Sequence, residues 1–369
     1  MQATGREETR GARSPDPSSQ NPSPRSPRLG GWSPALEIVG LWTLAIVLPL
    51  FDLIGSEAPF LLHHRPDGLD LALTILALAL GPPILLLLLE SLAGRFLGSA
   101  ARYRTHLAVL AALMAMLLLG VLRKLGDPMP AWLLPPVVGG LIWAAFRALD
   151  RWPVLTAACR LLSLALPITI GLLWTSPAAR ATRLAASDAD SAPPSATRAT
   201  PSGHLPPVVW VIFDELPLLS IVDADLSIDS EMFPNLAAFA DQATWYRNAT
   251  TIWSSTAESM VSMLTGTVAE AKTPPTRDSY PDNLLTWLAP THQIRSLEMI
   301  TSLAPPAVAD LRRRPSRSAR LGGLLSDTAI VAAHMLAPPM LAGALPPVDN
   351  RWGGFADQRV VRARADGLT

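Results

Sequence analysis

Two adjacent carboxylates, Asp214 and Glu215, directly follow a run of six apolar residues, Val208 to Phe213. A run of this length, rich in β-branched and aromatic residues, predicts a buried strand. In an open α/β sheet, ligands bind beyond the carboxyl ends of the strands. Carboxylate oxygens suit hard cations, so the pair predicts a divalent-metal site, with Asp214 as the stronger candidate ligand and Glu215 as the weaker one. The alternative is that both residues simply begin a solvated loop.

A hydroxyl-rich stretch, SSTAESMVSMLTG at residues 254–266, is the second candidate for chemistry. Ser255 and Glu258 match a Ser-x-x-Glu capping box, which by itself predicts only a helix start. That helix start puts Thr256 in the first turn, where backbone N–H groups and the helix dipole favour an oxyanion. A threonine hydroxyl is a weak nucleophile until a metal lowers its pKa. We therefore expect Thr256 to be the nucleophile and to share a divalent metal with Asp214.

The elements around these residues alternate in type. After the strand at 208–213, the pattern predicts a helix at about 234–243, a strand at 244–252 and a helix at about 257–265. Such alternation is typical of an α/β domain with a parallel sheet. The sequence thus predicts a partial α/β domain at residues 208–369.

The chain is too apolar for an ordinary soluble protein, since 49% of its 369 residues are hydrophobic and 16% are charged, and this balance suggests a membrane protein with a soluble part. Residues 1–34 are rich in Ser, Pro, Arg and Gly and are expected to form a disordered cytoplasmic tail. Residues 35–175 contain five apolar blocks, each near the roughly 20 residues that cross a bilayer. The blocks are 36–54, 71–90, 105–122, 132–149 and 154–175. The predicted fold class is therefore an α-helical transmembrane bundle of about five spans, followed by the partial α/β domain.

Arginine placement predicts the topology of the bundle. Arginines concentrate before the first block, between the second and third, and between the fourth and fifth. The positive-inside rule then places the N-terminus in the cytoplasm, and an odd number of spans places the C-terminal domain outside the cell membrane. Residues 176–207, rich in Pro, Ala and Ser, predict an extended linker between the two parts. Arg160, near the start of the fifth block, is expected to snorkel to the cytoplasmic face.

Composition also limits the classes of binding partner and of metal site. The lipid bilayer is the predicted partner, and a net charge of zero without a basic, aromatic-laced stripe gives no indication of nucleic-acid binding. Cys159 is the only cysteine, which excludes an intrachain disulfide and a cysteine-rich zinc site. His63 and His64 lie in the first external loop, where they could bind a metal or simply lie at the membrane interface.

Three motifs, VVWVIFDEL, FPNLAAFADQATWYRNATT and STAESMVSMLTG, resemble the N-terminal half of the sulfatase-like branch of the alkaline phosphatase superfamily. The similarity covers residues 208–266 and, more loosely, 280–288 and 345–355. In that family a nucleophile stands ten residues before the glycine of a Leu-Thr-Gly ending, and the matching residue here is Thr256. The resemblance implies that Asp214 and Glu215 form the metal end of the site. Threonine is the nucleophile in the lipoteichoic acid synthase and phosphoethanolamine transferase branches, which also carry membrane helices before an external catalytic domain.

Two departures from the family pattern change the expected activity. Sulfatases oxidise a Cys or Ser in a Cys/Ser-x-Pro-x-Arg context, whereas Thr256 lacks both the Pro and the Arg, so a phosphate ester is favoured over a sulfate ester. Family members complete the metal site with a later Asp-His pair, but only His292 and His334 follow Thr256. Asp327 and His334 share the face of an amphipathic helix, with His334 expected at its boundary. The tail RVVRARADGLT resembles no element of the fold, and we expect a truncated or frame-shifted product.

The predicted function is that of a membrane-anchored, metal-dependent hydrolase or transferase. It would act on phosphate esters of an envelope lipid or glycopolymer at the outer cell surface, and it is expected to be inactive in this truncated form. The sequence does not distinguish Mg, Mn, Ca and Zn. The alternative is a non-catalytic membrane protein whose remnant domain binds envelope glycopolymer or a protein partner. A transporter-like bundle is a further rival, but few charges lie within the apolar blocks, and polar groups usually mark transport pathways.

Overall fold

The computed structural model describes residues 33–125, 130–191, 205–213, 216–306, 309–310, 315–337, 342–348 and 352–356. It is mostly helical, and four helical segments are long and apolar enough to cross a membrane: Ser33–Ser56, Gly68–Leu97, Ser99–Leu122 and Pro153–Thr175. These segments confirm the prediction of a membrane protein at the level of its apolar helices. Most of the predicted disordered tail lies outside the described residues.

The bundle begins with a composite helix. A π-helical turn, Thr43–Val47, joins the first two helices into one continuous segment. The helices of the bundle are α1 (Ser33–Trp42), α2 (Leu48–Ser56), α3 (Ala58–His64), α4 (Gly68–Leu97), α5 (Ser99–Leu125), α6 (Leu134–Arg151), α7 (Pro153–Leu162) and α8 (Ala165–Thr175). A 3-10 turn, Ala131–Leu133, leads into α6.

Close packing fixes the directions of the spans. A Cβ on Gly40 would lie 2.3 Å from the carbonyl oxygen of Cys159, and one on Gly55 would lie 3.3 Å from Ser176, so α1–α2 and α7–α8 run side by side in the same direction. Small residues allow such approach between membrane helices. The two ends of the bundle need names. The helices α1, α5 and α7 begin at one end, which we call the arginine-rich end. Helix α2 ends and α4 begins at the other, which we call the docking end because later segments pack there.

The fourth apolar block differs from the other four. It forms α6, which has 18 residues. Three charged residues, Arg147, Asp150 and Arg151, lie near its C-terminal end, so α6 is not among the four long apolar segments. The helix packs along α5, and Leu149 near its end joins a core with Ile38 of α1 and Leu107 of α5. It thus runs antiparallel to α5 and brings the chain back to the arginine-rich end.

Beyond the bundle, the chain forms shorter elements. They are α9 (Pro177–Ser191), a 3-10 turn (Leu218–Ser220), α10 (Pro234–Ala240), α11 (Thr256–Thr265), α12 (Leu284–Leu288), β1 (Arg295–Ser296), β2 (Ala309–Asp310) and α13 (Arg317–Leu336). Strands β1 and β2 pair in parallel. The helices predicted at 234–243 and 257–265 are thereby confirmed as α10 and α11.

The predicted strands are wrong for the described residues. Neither 208–213 nor 244–252 has regular secondary structure, and the side chains of Val208 to Phe213 are exposed. A strand without a neighbour leaves its backbone donors and acceptors in water and buries no apolar face, so it does not form alone. The α/β domain is accordingly not shown; within the described residues, β1 and β2 form the one sheet, with two residues in each strand.

The predicted extended linker is also partly wrong, because its first half is the helix α9. The Ser176 hydroxyl accepts a hydrogen bond from the N–H of Ala179 at 3.2 Å, as a cap does, and the alanine- and arginine-rich sequence favours a helix. Ala178 and Ala179 are buried where α9 packs on α3. The helix therefore rests on the docking end of the bundle; residues 192–204 lie outside the described part of the chain.

Candidate functional site

Thr256 lies where the sequence predicts it, at the first residue of α11. Ser255 holds the N-cap position, but its hydroxyl donates to the carboxylate of Glu258 and does not cap the backbone. The two residues thus interact through their side chains, and the reciprocal capping box expected from the sequence is not formed. Thr256 itself is half-buried.

A small core holds α11 in place. Val261 of this helix packs with Leu303 and Ala269, all three buried. The Ser262 hydroxyl accepts from the N–H of Ala269 at 3.0 Å, and the Ser259 hydroxyl donates to the carbonyl of Trp253 at 2.8 Å. Because both ends of α11 are tied to neighbouring segments, the position of Thr256 is set by packing as well as by the local sequence.

The other predicted ligands are not brought to Thr256 in the part of the chain that the structure describes. Asp214 and Glu215 lie outside the described residues. Across the described ranges, no three His, Cys, Asp or Glu side chains are grouped to hold a metal ion. His334 is half-buried, as expected for a boundary residue, and its Nε2 lies 2.8 Å from the carbonyl of Pro346. Asp327 pairs with His64 rather than with His334.

That Asp327–His64 contact joins α13 to the bundle. His64 Nε2 lies 3.0 Å from Asp327 Oδ2, and its Nδ1 lies 2.8 Å from the carbonyl of Phe60. The Asp327 carboxylate also accepts hydrogen bonds from the N–H groups of Gly354 and Phe355. Burial opposes ionisation of Asp327, but the hydrogen bond from His64 and those from the backbone outweigh it, so the pKa of this carboxyl lies below its ordinary value.

A second set of ion pairs fastens α13 to the start of α4. Arg320 donates to Asp70 at 2.7 Å and to Asp67 at 3.0 Å, and Arg317 donates to each of the same carboxylates at 3.1 Å. Asp67 and Asp70 also form the capping box of α4. Burial opposes ionisation of Asp67, but the hydrogen bonds from Asp70 and Arg317 and the charges of both arginines lower its pKa. Two carboxylates thus cap a membrane span and dock a helix that is about 250 positions away in sequence.

A polar pocket lies at the docking end, between α9 and the segments that follow α11. Its volume is about 250 Å³, and Arg65, Arg277, Thr276 and Ser302 are among its lining residues. Arg65 adopts a left-handed backbone conformation with φ of 51° at the end of α3. Asp278 and Glu298 also line the pocket, so its lining carries two carboxylates beside the two guanidinium groups and is not purely cationic.

Sequence reasoning missed a buried polar cluster inside the bundle. Glu37, Glu90, His106 and Arg160 come from α1, α4, α5 and α7, and hydrogen bonds connect them. Glu90, His106 and Arg160 are each the single charged or imidazole residue of one apolar block, Glu37 shares its block with Asp52, and all four lie near the arginine-rich end. That regularity was the available signal. The expectation that Arg160 snorkels to a membrane face is only partly met, since its Nε is bonded to Glu37 at 2.7 Å.

No protein-family model matches this chain, and no curated protein or solved structure was found to be similar to it. Three places in the described chain concentrate functional groups: the start of α11, the docking end with its polar pocket, and the cluster within the bundle.

Proposed function

We propose that this chain is a membrane-anchored, sulfatase-like protein that acts on phosphate esters at the outer face of the cell membrane. Thr256 is the nucleophile, and a divalent metal is held by Asp214 and Thr256, with Glu215 as the weaker ligand. When bound, the metal would lower the pKa of the Thr256 hydroxyl and supply an alkoxide. The substrate class is an envelope lipid or glycopolymer.

The observation that carries the proposal is the position of Thr256 at the first residue of α11. At a helix start, backbone N–H groups and the helix dipole stabilise negative charge, both on an attacking oxygen and on a phosphoryl group in transfer. The Ser255 side chain is engaged with Glu258, so it does not occupy the first-turn donors as a cap would. The local chemistry therefore suits phosphoryl transfer better than a purely structural helix cap.

The docking of the C-terminal segment on the bundle supports a membrane-borne substrate. The helices α9 and α13 both pack at the docking end, through α3 and through the ion pairs with Asp67 and Asp70. A segment held at the end of a membrane bundle meets substrates at the membrane surface. A phosphate ester on a lipid or on a membrane-attached polymer is presented at that level.

A single-turnover labelling experiment tests this function. The purified full chain in nanodiscs, with Mn²⁺ or Mg²⁺, is mixed with an activated phosphodiester, quenched and analysed by mass spectrometry. Because the chain lacks the later Asp-His pair and is not expected to sustain turnover, the readout is a single labelling event. We expect a substrate-derived adduct on Thr256 that is lost in Thr256→Ala and kept in part in Thr256→Ser, because a hydroxyl remains. Thr250→Ala, which changes an exposed threonine in the preceding loop, is the matched control. An adduct on Ser255, or one that persists in Thr256→Ala, contradicts the assignment.

A second candidate function is the non-catalytic binding of an envelope glycopolymer, and the polar pocket, lined by arginines, carboxylates and hydroxyls, favours it. Arg65 and Arg277 are on opposite sides of the docking interface, one from α3 and one from the loop after α11. A polyanion added to the same nanodiscs should bind with an affinity that falls in Arg277→Gln and is unchanged in Thr256→Ala. Binding of this kind without an adduct on Thr256 would support the second function over the first.

A further inference from the structure

The buried cluster in the bundle joins three helices through one imidazole. His106 Nε2 lies 2.7 Å from Glu37 Oε2, and His106 Nδ1 lies 2.9 Å from Glu90 Oε1. The side chains are almost completely buried, with 3% of Glu37, 1% of Glu90 and 1% of His106 exposed. Arg160 completes the cluster, because its Nε lies 2.7 Å from the other oxygen of Glu37.

This geometry fixes the number of protons in the cluster. A neutral imidazole has one N–H and can donate to one carboxylate only, while its second nitrogen carries a lone pair. That lone pair would face a carboxylate oxygen, which is repulsive unless a proton lies between them. The arrangement of Glu37, His106 and Glu90 therefore holds one proton more than a neutral imidazole and two carboxylates do.

Charge balance explains why this proton is retained. With it, the imidazolium and the guanidinium of Arg160 offset the two carboxylates, and the cluster is neutral. Without it, one negative charge stays uncompensated inside the membrane domain, where isolated charges are costly. The cluster is neutral whether the proton lies on His106 Nδ1 or on Glu90 Oε1, and these two atoms are 2.9 Å apart. In both placements the Nε2–H group still donates to Glu37.

An independent observation concerns the second oxygen of Glu90. Glu90 Oε2 is buried and has no hydrogen-bond partner among the described residues. A buried carboxylate oxygen without a donor destabilises the ionised form, which favours the proton on Glu90 over a fixed imidazolium. Glu90 is thus the group in the cluster most suited to take up and give back the proton.

Arg160 connects the buried cluster to the surface of the bundle. The Arg160 side chain is 45% exposed, so water at the arginine-rich end can approach Glu37 beside it and exchange protons with the cluster. Other ionisable side chains lie near the cluster on the neighbouring helices. They are Arg102 and Tyr103 on α5, Asp150 of α6, which bonds with Tyr103, and Cys159 on α7. Arg102 Nε, one turn before His106, is buried and has no hydrogen-bond partner among the described residues.

We propose that Glu37, Glu90 and His106 form a proton-binding site inside the membrane domain. The site takes one exchangeable proton from the arginine-rich end, and the bound proton holds α1, α4 and α5 together around His106. Stability alone does not account for such a cluster, because well-packed apolar residues usually replace buried ion pairs at no loss. The proposal is independent of the chemistry at Thr256.

The test counts the proton directly. The full chain with ¹⁵N-labelled histidine is placed in nanodiscs of zwitterionic lipid, and the ring signals of His106 are followed as the pH is raised. The signal is assigned by its loss in His106→Gln. We expect a single-proton transition, together with an opening equilibrium of α1 and α4, measured by hydrogen exchange, that rises about tenfold for each pH unit on the approach to the transition from below and levels off above it.

Glu90→Gln is the decisive variant, because glutamine can donate to a neutral His106 Nδ1 and so removes the need for the extra proton while keeping the packing. We expect its bundle to stay closed at all the pH values studied, with no proton-linked opening. His292→Gln, which changes a half-buried histidine that contacts the Thr291 hydroxyl outside the bundle, is the control and should behave as the unaltered chain does. Persistence of the proton-linked opening in Glu90→Gln, or its absence from the unaltered chain, overturns the proposal.

Discussion

Removal of the Arg320 guanidinium should release α13 from the docking end of the bundle. Arg320 is buried and donates to Asp70 at 2.7 Å, to Asp67 at 3.0 Å and to the carbonyl of Pro315 at 2.9 Å. The Asp70 side chain is completely buried, at 0% exposure. Arg320→Ala leaves that carboxylate with Arg317 as its remaining guanidinium partner, and 53% of the Arg317 side chain is exposed.

The expected loss follows from the charge that stays behind. Removing one partner of a buried ion pair costs about 3–5 kcal/mol, because the other charge is then buried without compensation. Arg317 still donates to Asp70 at 3.1 Å, so we expect the lower value, about 3 kcal/mol. Since about 1.4 kcal/mol corresponds to a factor of ten, the equilibrium constant for release of α13 should rise about a hundredfold.

Hydrogen exchange of the α13 amides in nanodiscs measures this release. Protection in α13 should fall about a hundredfold in Arg320→Ala while protection in α5 is retained, because among the described residues α13 packs mainly on α3 and α4 rather than on α5. Arg317→Ala is the matched control: its side chain is half exposed, so it should cost at most about 1 kcal/mol. Equal losses in the two variants, or unchanged exchange in Arg320→Ala, would refute the assignment of docking to the buried pair.

Three other perturbations have definite expected outcomes. Gly40→Ala should lower the free energy of unfolding by about 1–3 kcal/mol, since its Cβ would meet the Cys159 carbonyl oxygen at 2.3 Å, whereas Gly120→Ala, with nothing within 4 Å, should not; thermal unfolding in detergent compares them. Acid should release α13 from the bundle. Because the pKa of Asp327 is lowered, its ionised form contributes fully to the stability of the docked state above the ordinary value of 3.8, and this stability is lost as the pH falls below that value. The rate of proteolysis of α13, measured as a function of pH, detects the release. Gly353→Ala should weaken the same contact by about 1–3 kcal/mol, because φ is 136° and the Cβ would lie 2.9 Å from Asp327, and α13 should then be cleaved faster at neutral pH.

Local sequence was enough for the elements whose stability is local. The apolar blocks predict the long helices because about 20 apolar residues suffice to cross a bilayer whatever follows them in the chain. The start of α11 at Thr256 and the start of α10 at Pro234 were also predictable, since cap and first-turn preferences depend on a few adjacent residues. The four long apolar helices and the helix starts at Thr256 and Pro234 are therefore found where the sequence predicts them.

Strand formation depends on distant partners, and there the sequence was misleading. Val208 to Phe213 has the composition of a buried strand, yet it stays exposed and irregular because no other strand of the described chain pairs with it. Conversely, residues 177–191 were predicted to be part of a linker, because prolines and serines are frequent around them, but they form a helix. Their alanines and arginines favour a helix, and packing on α3 stabilises it.

The ionisable residues of the bundle show the limit most clearly. Glu37, Glu90 and Arg160 each lie in an apolar stretch, and the sequence determined only that each is costly to bury there. Their pairing was decided by helix packing, which brings His106 against Glu37 across 69 positions and Arg160 against Glu37 across 123 positions. A buried charge is tolerated only where a partner meets it, and the tertiary structure alone determines which residue that partner is.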